Sequence, residues 1–273
     1  MNKQQLFEQL WENYTIITPS AKHIRRIFED RGEQIENDHI AIRTFNDPRV
    51  GIDVIAAPFK AIGYVEKGDY WFKEKKLFAH HYEHPEGKGY PKIFISELLL
   101  EQCSERLRAI VAKILDEIPY KDIDLNTLLL KGRLWDLDYE DYDFLQKESE
   151  YASWMYVYGF CANHFTVFVN YLKTFKSLQE VNDFVKANGY KLNDSGGEIK
   201  GTPEQLLEQS STLADLVPIV FRDKIKNIPS CYYEFARRYE KPDGELYQGF
   251  IAASADKIFE STNVSLAEKA HSK

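Results

Sequence analysis

At 44% hydrophobic and 29% charged residues, the 273-residue chain has the composition of an ordinary globular protein. Its net charge of −8, with no basic run, argues against nucleic acid or an anionic membrane as a partner. No stretch approaches the roughly 20 apolar residues of a membrane span, and the start lacks a signal-peptide core. The scattered cysteines, Cys103, Cys161 and Cys231, provide no disulfide framework, so we expect a soluble cytoplasmic protein.

The first 117 residues predict an alternation of helices and strands. Apolar positions at helical spacing indicate the helices, and alternating β-branched residues indicate the strands. The predicted helices lie at 3–14, 20–31, 48–62 and 100–117, and the predicted strands at 35–45 and 91–98. Between them, residues 64–84 predict a hairpin that turns at Lys67, Gly68 and Asp69.

The second half repeats this order after a polar, acidic segment at 118–152, which predicts a helical connection. Residues 159–172 give the strongest strand pattern in the chain. Ser177 and Gly189 are suitable cap residues for a helix at 177–190. The remaining expected elements are strands at 207–212, 216–222 and 230–239, followed by a polar tail at 262–273 that should fray.

The order helix, strand, helix, strands therefore occurs around 20–100 and again around 160–240. Such an order is typical of an α+β protein with mixed or antiparallel sheets. We expect a single domain over residues 1–273. Its parts are a first α/β half at about 20–100, a helical connection at about 100–152 and a second α/β half at about 155–262.

Several common catalytic motifs are absent from the sequence. It contains no G-x-S-x-G, no G-x-x-x-x-G-K-[ST], no G-x-G-x-x-G and no H-E-x-x-H. Histidines and carboxylates in apolar surroundings are then the main candidates for chemistry.

His39 lies at the start of a predicted strand, and Arg43 follows four residues later. Side chains at i and i+4 of a strand share one face and lie roughly 13 Å apart, at about 3.3 Å per residue. A metal ion at His39 and a substrate carboxylate at Arg43 would suit a small bound acid. The alternative is a surface histidine and a surface arginine at a strand end.

His164 and Glu234 lie inside the apolar strand patterns FCANHFTVFV and SCYYEFARRY. A buried imidazole needs a partner for each ring nitrogen, and a metal ion is one such partner. A carboxylate among aromatic residues is costly unless it is paired or bound to metal. The structural alternatives are a hydrogen-bonded core histidine and an ion pair of Glu234 with Arg237 or Arg238. Strand parity disfavours Arg237, and spacing disfavours Arg238.

The same parity turns Cys161 away from His164 and Cys231 away from Glu234, because each pair is three residues apart. The expected site therefore has nitrogen and oxygen ligands without sulphur. Such a donor set favours iron, manganese or zinc over thiolate chemistry.

Two other segments are rival metal sites. His80, His81 and His84 form a cluster next to a loop, where exposed histidines bind adventitious metal. The acidic run at 135–150 resembles a calcium motif, but it lacks the central glycine and the spacing of an EF-hand. We interpret this run as a solvated helix face.

Six segments, taken together and in this order, resemble the 2-oxoadipate dioxygenase/decarboxylase family. They are DHIAIRTF, KIFISEL, ANHFTVFVN, EQSSTLAD, YYEFARRY and GFIAASADKIFEST, and the resemblance runs from about 20 to 262. The chain looks like a short form, because longer members carry insertions between these segments. The resemblance implies a fold similar to the vicinal-oxygen-chelate fold. Paired βαβββ units would form a curved mixed sheet around a metal site, with additional N-terminal and connecting helices.

The resemblance also implies the chemistry. The family's two metal histidines and its metal carboxylate fall on His39, His164 and Glu234, which would hold one Fe(II). With O2, such an enzyme decarboxylates and hydroxylates a 2-oxo acid, turning 2-oxoadipate into 2-hydroxyglutarate in lysine catabolism.

Residues that touch the substrate follow from the same resemblance. The family's substrate-gripping arginine falls on Arg43, and its Q-S-S-T segment falls on residues 209–212. Either Gln209 or Ser211 would touch the substrate. A planar guanidinium pairs with a carboxylate through two hydrogen bonds, which a lysine at position 43 would not provide.

Two other functional classes remain open from the residues alone. A zinc-dependent hydrolase or lyase uses the same kind of His, His and Glu ligands. A non-catalytic binding protein on the same scaffold would bind its ligand without metal.

Overall fold

The computed structural model of the chain describes residues 2–262, without the side chains of residues 255, 256, 259 and 261. The tail predicted to fray at 262–273 lies, beyond its first residue, outside the described residues. Within the described part, no helix combines the length and the apolar character that crossing a membrane requires.

The strands and helices largely follow the predicted order. The strands are β1 (Asn37–Phe45), β2 (Val65–Phe72), β3 (Leu77–Glu83), β4 (Lys92–Leu98), β5 (Ala162–Phe168), β6 (Lys200–Thr202), β7 (Leu207–Ser211), β8 (Leu216–Val220), β9 (Ile225–Pro229) and β10 (Tyr233–Arg238). The helices are α1 (Lys3–Ile17), α2 (Pro19–Asp30), α3 (Ile52–Ala61), α4 (Glu105–Asp116), α5 (Tyr139–Glu148), α6 (Glu150–Tyr158), α7 (Leu178–Ala187) and α8 (Ala252–Phe259). The connection predicted at 118–152 is helical only in part: it contains a short 3-10 segment at Leu125–Leu130, then α5 and the start of α6, while 118–124 and 131–138 are turns and loops.

Eight of these strands form one mixed sheet in the order β2-β3-β4-β1-β5-β10-β7-β6. At its centre β1 and β5 are antiparallel. Each of them has a parallel neighbour, β4 beside β1 and β10 beside β5, and the outer pairs on both sides are antiparallel. The order read outward from the centre is therefore the same in both halves. The chain builds two βαβββ units, β1-α3-β2-β3-β4 and β5-α7-β6-β7-β10, related by an approximate two-fold axis.

Local signals explain why the helices begin where they do. Asn2 and Gln5 form a reciprocal capping box at the start of α1, and Ser104 caps α4. Ser177 caps α7 by accepting a hydrogen bond from the amide of Glu180, as the sequence predicted. These side chains satisfy amide groups that the first helical turn leaves without partners.

The helices α1 and α2 bury one face of the sheet. Trp11 and Tyr14 of α1 pack on Phe165 of β5, with ring centroids 5.1 and 5.0 Å apart. Phe28 of α2 packs on Phe235 of β10. Since side chains alternate along a strand, His164 and Glu234, the neighbours of Phe165 and Phe235, face the opposite side. The sheet therefore has an aromatic core on one face and a polar site on the other.

Some predicted boundaries were wrong. The hairpin turns at 73–76, not at residues 67–69, because Gly68 lies inside β2 next to a bulge, and Lys76 takes the left-handed turn conformation at φ 55°. Sequence patterns also missed β6, β9 and α8. The predicted strand at 216–222 is β8, which pairs with β9 in a separate two-stranded sheet.

Candidate metal centre

His39, His164 and Glu234 converge on the polar face of the sheet. His39 on β1 and Glu234 on β10 are both register partners of Thr166 on β5, and His164 lies two residues before Thr166. His39 Nε2 lies 3.4 Å from His164 Nε2 and 3.5 Å from Glu234 Oε1, and His164 Nε2 lies 3.2 Å from Glu234 Oε2. All three side chains are buried, with at most 5% exposed. Three potential ligand atoms therefore surround one point that is shielded from solvent.

Two β-bulges aim the histidines. In the β1–β5 register, Asp38 is an extra residue in β1 and Asn163 is an extra residue in β5. Each bulge residue directly precedes a histidine and holds its Nδ1: Asp38 Oδ1 at 2.7 Å from His39, and Asn163 Oδ1 at 2.9 Å from His164. A bulge locally suspends the alternation of a strand, so neighbouring side chains can meet. The two halves thus use the same device.

These contacts fix the tautomers. Asp38 and Asn163 accept hydrogen bonds through their oxygens, so Nδ1 of each histidine carries the proton and Nε2 keeps its lone pair. Glu234 Oε2 has no hydrogen-bond partner among the described residues, although it lies beside His164 Nε2. Lone pairs that face one another in a buried place repel, and a cation bound between them removes this repulsion. The N/N/O donor set and its 3.2–3.5 Å spacing fit one divalent ion.

Burial dominates the electrostatics of the three groups. It lowers the pKa of His39, despite the opposing influence of Asp38, and with His39 and Arg43 nearby it holds the pKa of His164 well below the usual range. Burial raises the pKa of Glu234 to about 8, which the hydrogen bond from Gln209 only partly opposes. Neutral imidazoles are ready to bind metal, and a bound cation would favour the ionised form of Glu234.

A buried ion pair supports this arrangement. Arg238 Nε and Nη2 donate to the two carboxylate oxygens of Asp38 at 2.6 and 2.8 Å, and both side chains are fully buried. Burial alone would raise the pKa of Asp38, but the charges of Arg238 and Lys92 hold it well below the usual range. Asp38 is therefore a carboxylate that orients His39. The ion pair of Arg238 with Glu234, which was an alternative from the sequence, does not form, because Arg238 pairs with Asp38.

The approximate two-fold axis explains why one side of the cluster lacks a protein ligand. It exchanges His39 with His164 and Ala41 with Thr166. Glu234 is the parallel-strand partner of Thr166, and the corresponding partner of Ala41 is Phe94. An apolar ring thus stands where a symmetric site would have a fourth ligand. Such a site leaves positions on the ion for other molecules.

A cavity of about 20 Å³ adjoins the cluster. Its apolar walls are Phe94, Phe250 and Ile258, and its polar lining is His39, His164, Gln209, Tyr232 and Glu234. This volume has room for about one water molecule. Phe250 closes the cavity by packing edge-on against His39, with ring centroids 4.8 Å apart.

Two of the three predicted substrate residues lie where they could meet a ligand. Gln209 lines the cavity and donates its Nε2 to Glu234 Oε1 at 2.7 Å. Arg43 is buried on the His39 face of β1 next to the rings of Tyr151 and Trp154, and it lines a second cavity that shares no lining residue with the first. Ser211 is buried beside Glu234 in the β7–β10 pair and does not line the cavity.

The rival histidine cluster does not converge. His80 lies outward with Glu66 and Asp69, whose ligand atoms are within 4.8 Å of one another at the surface. His81 points the other way and hydrogen-bonds Tyr70 and Glu83, at 2.9 Å each. His84 stacks on Tyr90. Among the described residues, His39, His164 and Glu234 are the buried group with metal-binding geometry.

Strand β5 is not regular between Cys161 and His164. The bulge at Asn163 lies between Cys161 and His164, so the spacing of three residues does not fix their faces. Even so, no cysteine belongs to a potential metal cluster in the described part of the chain, and all three thiols are free and buried.

Sequence reasoning missed Asp38, Asn163, Tyr232 and Phe250. A signal for the first two was present, because a polar residue precedes each histidine, in DH and NH. Regular alternation assigned those residues to the opposite face, and only the bulges bring them to the imidazoles. Tyr232 and Phe250 had no distinguishing pattern among the chain's 17 Tyr and 17 Phe.

The paired βαβββ units and the curled sheet define a protein of the vicinal-oxygen-chelate fold class. The sequence model of the 2-oxoadipate dioxygenase/decarboxylase family matches residues 4–244. The chain belongs to this family, as its sequence segments indicated.

Individual relatives agree with this assignment. The chain is 36% identical to a chloroplastic/amyloplastic 2-oxoadipate dioxygenase/decarboxylase of Oryza sativa, over 92% of this chain and 76% of the relative. The structure of the rice hydroxyglutarate synthase in complex with 2-oxoadipate is similar, with a TM-score of 0.90, 33% identity and 97% and 95% coverage of the two chains. A structure described as a putative hydrolase from Shewanella frigidimarina is 47% identical, with a TM-score of 0.87 and 92% and 98% coverage.

Proposed function

We propose that this chain is an Fe(II)-dependent oxygenase that converts 2-oxoadipate into 2-hydroxyglutarate and CO2. This reaction would be a step of lysine breakdown. The observation that carries the proposal is the buried convergence of His39, His164 and Glu234. Membership of the 2-oxoadipate dioxygenase/decarboxylase family and similarity to a rice structure that holds 2-oxoadipate support the substrate.

In this proposal His39, His164 and Glu234 hold the iron on one face. When bound, Fe(II) supplies positions for the 2-oxo acid and for O2 and the electrons that activate O2. Asp38 and Asn163 keep both imidazoles in the ligand tautomer, and Gln209 orients the carboxylate of Glu234.

Arg43 is proposed to bind the distal carboxylate of the acid. It lies four residues beyond His39 on the same strand face, roughly 13 Å along it, and a long acid can extend toward it. The aromatic walls of Tyr151 and Trp154, whose centroids lie 5.0 and 4.9 Å from Arg43 Cζ, fix the plane of the guanidinium. A fixed planar fork suits two-point pairing with a carboxylate.

The reaction balances without an external reductant. 2-Oxoadipate loses its C1 carboxylate as CO2, the keto carbon becomes a carboxylate, and the adjacent carbon gains a hydroxyl. Both new oxygen atoms come from the same O2 molecule. The four electrons that reduce O2 come from the acid itself. The apolar cover of Phe94, Phe250 and Ile258 would keep water away from the reacting atoms.

We also propose that the whole chain, residues 1–273, works as one catalytic domain located in the cytoplasm. The first half supplies His39 and Arg43, and the second supplies His164 and Glu234, so neither half has a complete set of ligands. The three free cysteines are compatible with a reducing compartment.

The test is to load the protein with Fe(II) without oxygen, add 2-oxoadipate and O2, and measure oxygen uptake and CO2 release. We expect equal amounts of both, and 2-hydroxyglutarate as product. His164→Ala and Glu234→Ala should lose bound iron, whereas His80→Ala, at the surface cluster, should retain it. Normal iron binding without turnover of 2-oxoadipate would remove the substrate proposal. Full iron content in either ligand variant would remove the ligand proposal.

A zinc-dependent hydrolase remains the alternative that the same donor set allows. The similar Shewanella protein carries a hydrolase description, but family membership favours the oxygenase. Metal analysis of the purified protein and the oxygen dependence of turnover distinguish the two.

A further inference from the structure

Three buried polar atoms around the metal-side cavity have no hydrogen-bond partner among the described residues. They are the hydroxyl of Tyr232, Oε1 of Gln209 and Oε2 of Glu234. Buried polar groups are nearly always paired, and each unpaired one costs about 1–3 kcal/mol. Glu234 Oε2 is explained by a metal ion. Tyr232 is not a metal ligand in the proposed site, so its hydroxyl needs another partner.

The geometry holds Tyr232 beside the reacting centre. Its ring stacks on the imidazole of His164, with centroids 4.7 Å apart and an interplanar angle of 27°. The side chain is fully buried. Its backbone carbonyl accepts a hydrogen bond from Tyr14 at 2.5 Å, which anchors the residue from the opposite face of the sheet. The position of the ring is thus fixed in the protein, while its hydroxyl makes no bond with the described residues.

An unpaired hydroxyl alone does not identify a binding group. The next residue, Tyr233, is equally buried and its hydroxyl is also unpaired. Tyr233 lies on the other face, however, packed against Trp11 and Phe235 in the aromatic core. Tyr233 does not line the metal-side cavity, whereas Tyr232 shares that cavity with His39, His164 and Glu234.

We propose that Tyr232 is a substrate-binding residue whose hydroxyl donates a hydrogen bond to an oxygen of the 2-oxo acid head group, the part bound next to the iron. The inference rests on the proposed function, because it needs a 2-oxo acid at this site. The stacking on His164 places the phenol next to the ligand sphere, and Arg43 is already assigned to the distal carboxylate. A neutral phenol is a donor at physiological pH and suits the negative oxygens of such a head group.

Tyr232→Phe tests this role, and Tyr233→Phe is the matched control. Both variants remove a buried, unpaired hydroxyl from neighbouring positions. Since neither hydroxyl supports the fold, both variants should fold with a thermal midpoint equal to or above that of the wild type. A clearly lower midpoint for Tyr232→Phe alone would show a structural role and overturn the proposal.

The affinity for two acids locates the contact. The dissociation constants of 2-oxoadipate and of 2-oxohexanoate, which lacks the distal carboxylate, are measured by calorimetry with the Fe(II)-loaded protein without oxygen. We expect Tyr232→Phe to raise the dissociation constants of both acids by a similar factor of about ten, with unchanged iron content. Tyr233→Phe should change neither dissociation constant by more than about twofold.

Each other outcome contradicts a defined part of the account. Unchanged affinity in Tyr232→Phe overturns the proposed contact. A loss confined to 2-oxoadipate overturns it as well, because the hydroxyl would then bind the distal carboxylate. If the iron-loaded wild type binds neither acid, the proposed function fails first, and the role of Tyr232 fails with it.

Discussion

Each candidate ligand histidine depends on the residue that precedes it. Asp38 and Asn163 are bulge residues, and each accepts a hydrogen bond from the Nδ1 of the next histidine. The two are not equivalent, however, because Asp38 also carries a fully buried ion pair with Arg238. Substitutions at the two positions should therefore have different consequences.

Asn163→Ala should weaken metal binding about 10- to 100-fold, because His164 would lose the acceptor that fixes its tautomer and orientation. Titration of the apoprotein with Fe(II) or Zn(II) measures the effect. Asn188→Ala, at the exposed end of α7, is the control and should leave metal affinity unchanged. An affinity of Asn163→Ala within twofold of the wild type would contradict the orienting role.

Asp38→Asn should weaken metal binding and also destabilise the fold. Arg238 would be left as a buried charge without its carboxylate, which typically costs about 3–5 kcal/mol. Denaturant unfolding of the metal-free proteins separates the two effects. Asn163→Ala should lower the free energy of unfolding much less than Asp38→Asn does. Equal losses in the two variants would contradict a stabilising role for the ion pair of Asp38 with Arg238.

At the level of elements, the segment that leads into α8 covers the site. Tyr70 OH accepts a hydrogen bond from the amide of Phe250 at 3.2 Å, and Arg238 lies over the Phe250 ring. With about 20 Å³ in the cavity, an acid of the size of 2-oxoadipate can bind only if Phe250 or its neighbours move. The cover is then part of the binding step.

Phe250→Ala should speed the release of bound metal to a chelator, because it removes the ring that packs on His39. Phe28→Ala is the control, since Phe28 is buried on the opposite face against Phe175, Phe184 and Phe235. Loss of a buried Phe costs about 3–5 kcal/mol, so both variants lose stability. Equal chelation rates in the two variants would show that Phe250 does not cover the site.

Glu33, which follows α2, binds the loop after β5 through hydrogen bonds. Its carboxylate accepts hydrogen bonds from the amides of Lys173 and Thr174 at 2.7 Å each and from the Thr174 hydroxyl at 2.6 Å. Burial opposes ionisation, but these hydrogen bonds hold the pKa of Glu33 below its ordinary value of 4.5. Its folded pKa is thus lower than its unfolded pKa.

The stability from Glu33 is present above the unfolded pKa and is lost as the pH falls through the folded pKa. Glu33→Gln should lower the unfolding free energy by about 1–3 kcal/mol at pH 7 and should weaken its dependence on pH in the acid range. Glu29→Gln, at a half-exposed ion pair, should change it by less than about 1 kcal/mol. Parallel acid-unfolding curves for Glu33→Gln and wild type would contradict this account.

For the whole molecule, the central fact is the approximate two-fold axis between β1 and β5. The proposed ligands come from both halves, so metal binding should stabilise the entire sheet rather than one half. At a metal concentration about 100 times the dissociation constant, the unfolding free energy should rise by about 2.7 kcal/mol. Calorimetry with metal and with chelator measures this, and unequal shifts in two separate transitions would contradict a single cooperative unit.

The elements and the identity of the candidate ligands could be predicted because their signals are local. His39, His164 and Glu234 each stand out as polar residues in strand patterns, and the cap of α7 lies within one helical turn. The grouping of the three ligands depends on the register of β1, β5 and β10. That register is set by pairing between residues far apart in the sequence, His39 with Thr166 and Thr166 with Glu234. Periodicity carries no such information, so the three residues were grouped by the family resemblance.

Other features depend on irregularities that alternation does not encode. Because of the bulges at Asp38 and Asn163, both residues lie on the face opposite to the one that regular alternation predicts. The turn predicted at 67–69 is instead a bulge inside β2, next to Gly68. The pairing of Arg238 with Asp38 spans 200 residues. Phe250 and Ile258 cover the site because the chain after β10 returns across it, and no local sequence pattern indicates that return.

The most direct measurement of the central claim is the mass of the product formed from 2-oxoadipate under oxygen-18 gas. An Fe(II) oxygenase at His39, His164 and Glu234 should give 2-hydroxyglutarate that contains two labelled oxygens, one in the new hydroxyl and one in the new carboxylate. The product should not form with Glu234→Ala. An unlabelled product, or turnover in the absence of O2, would contradict the account.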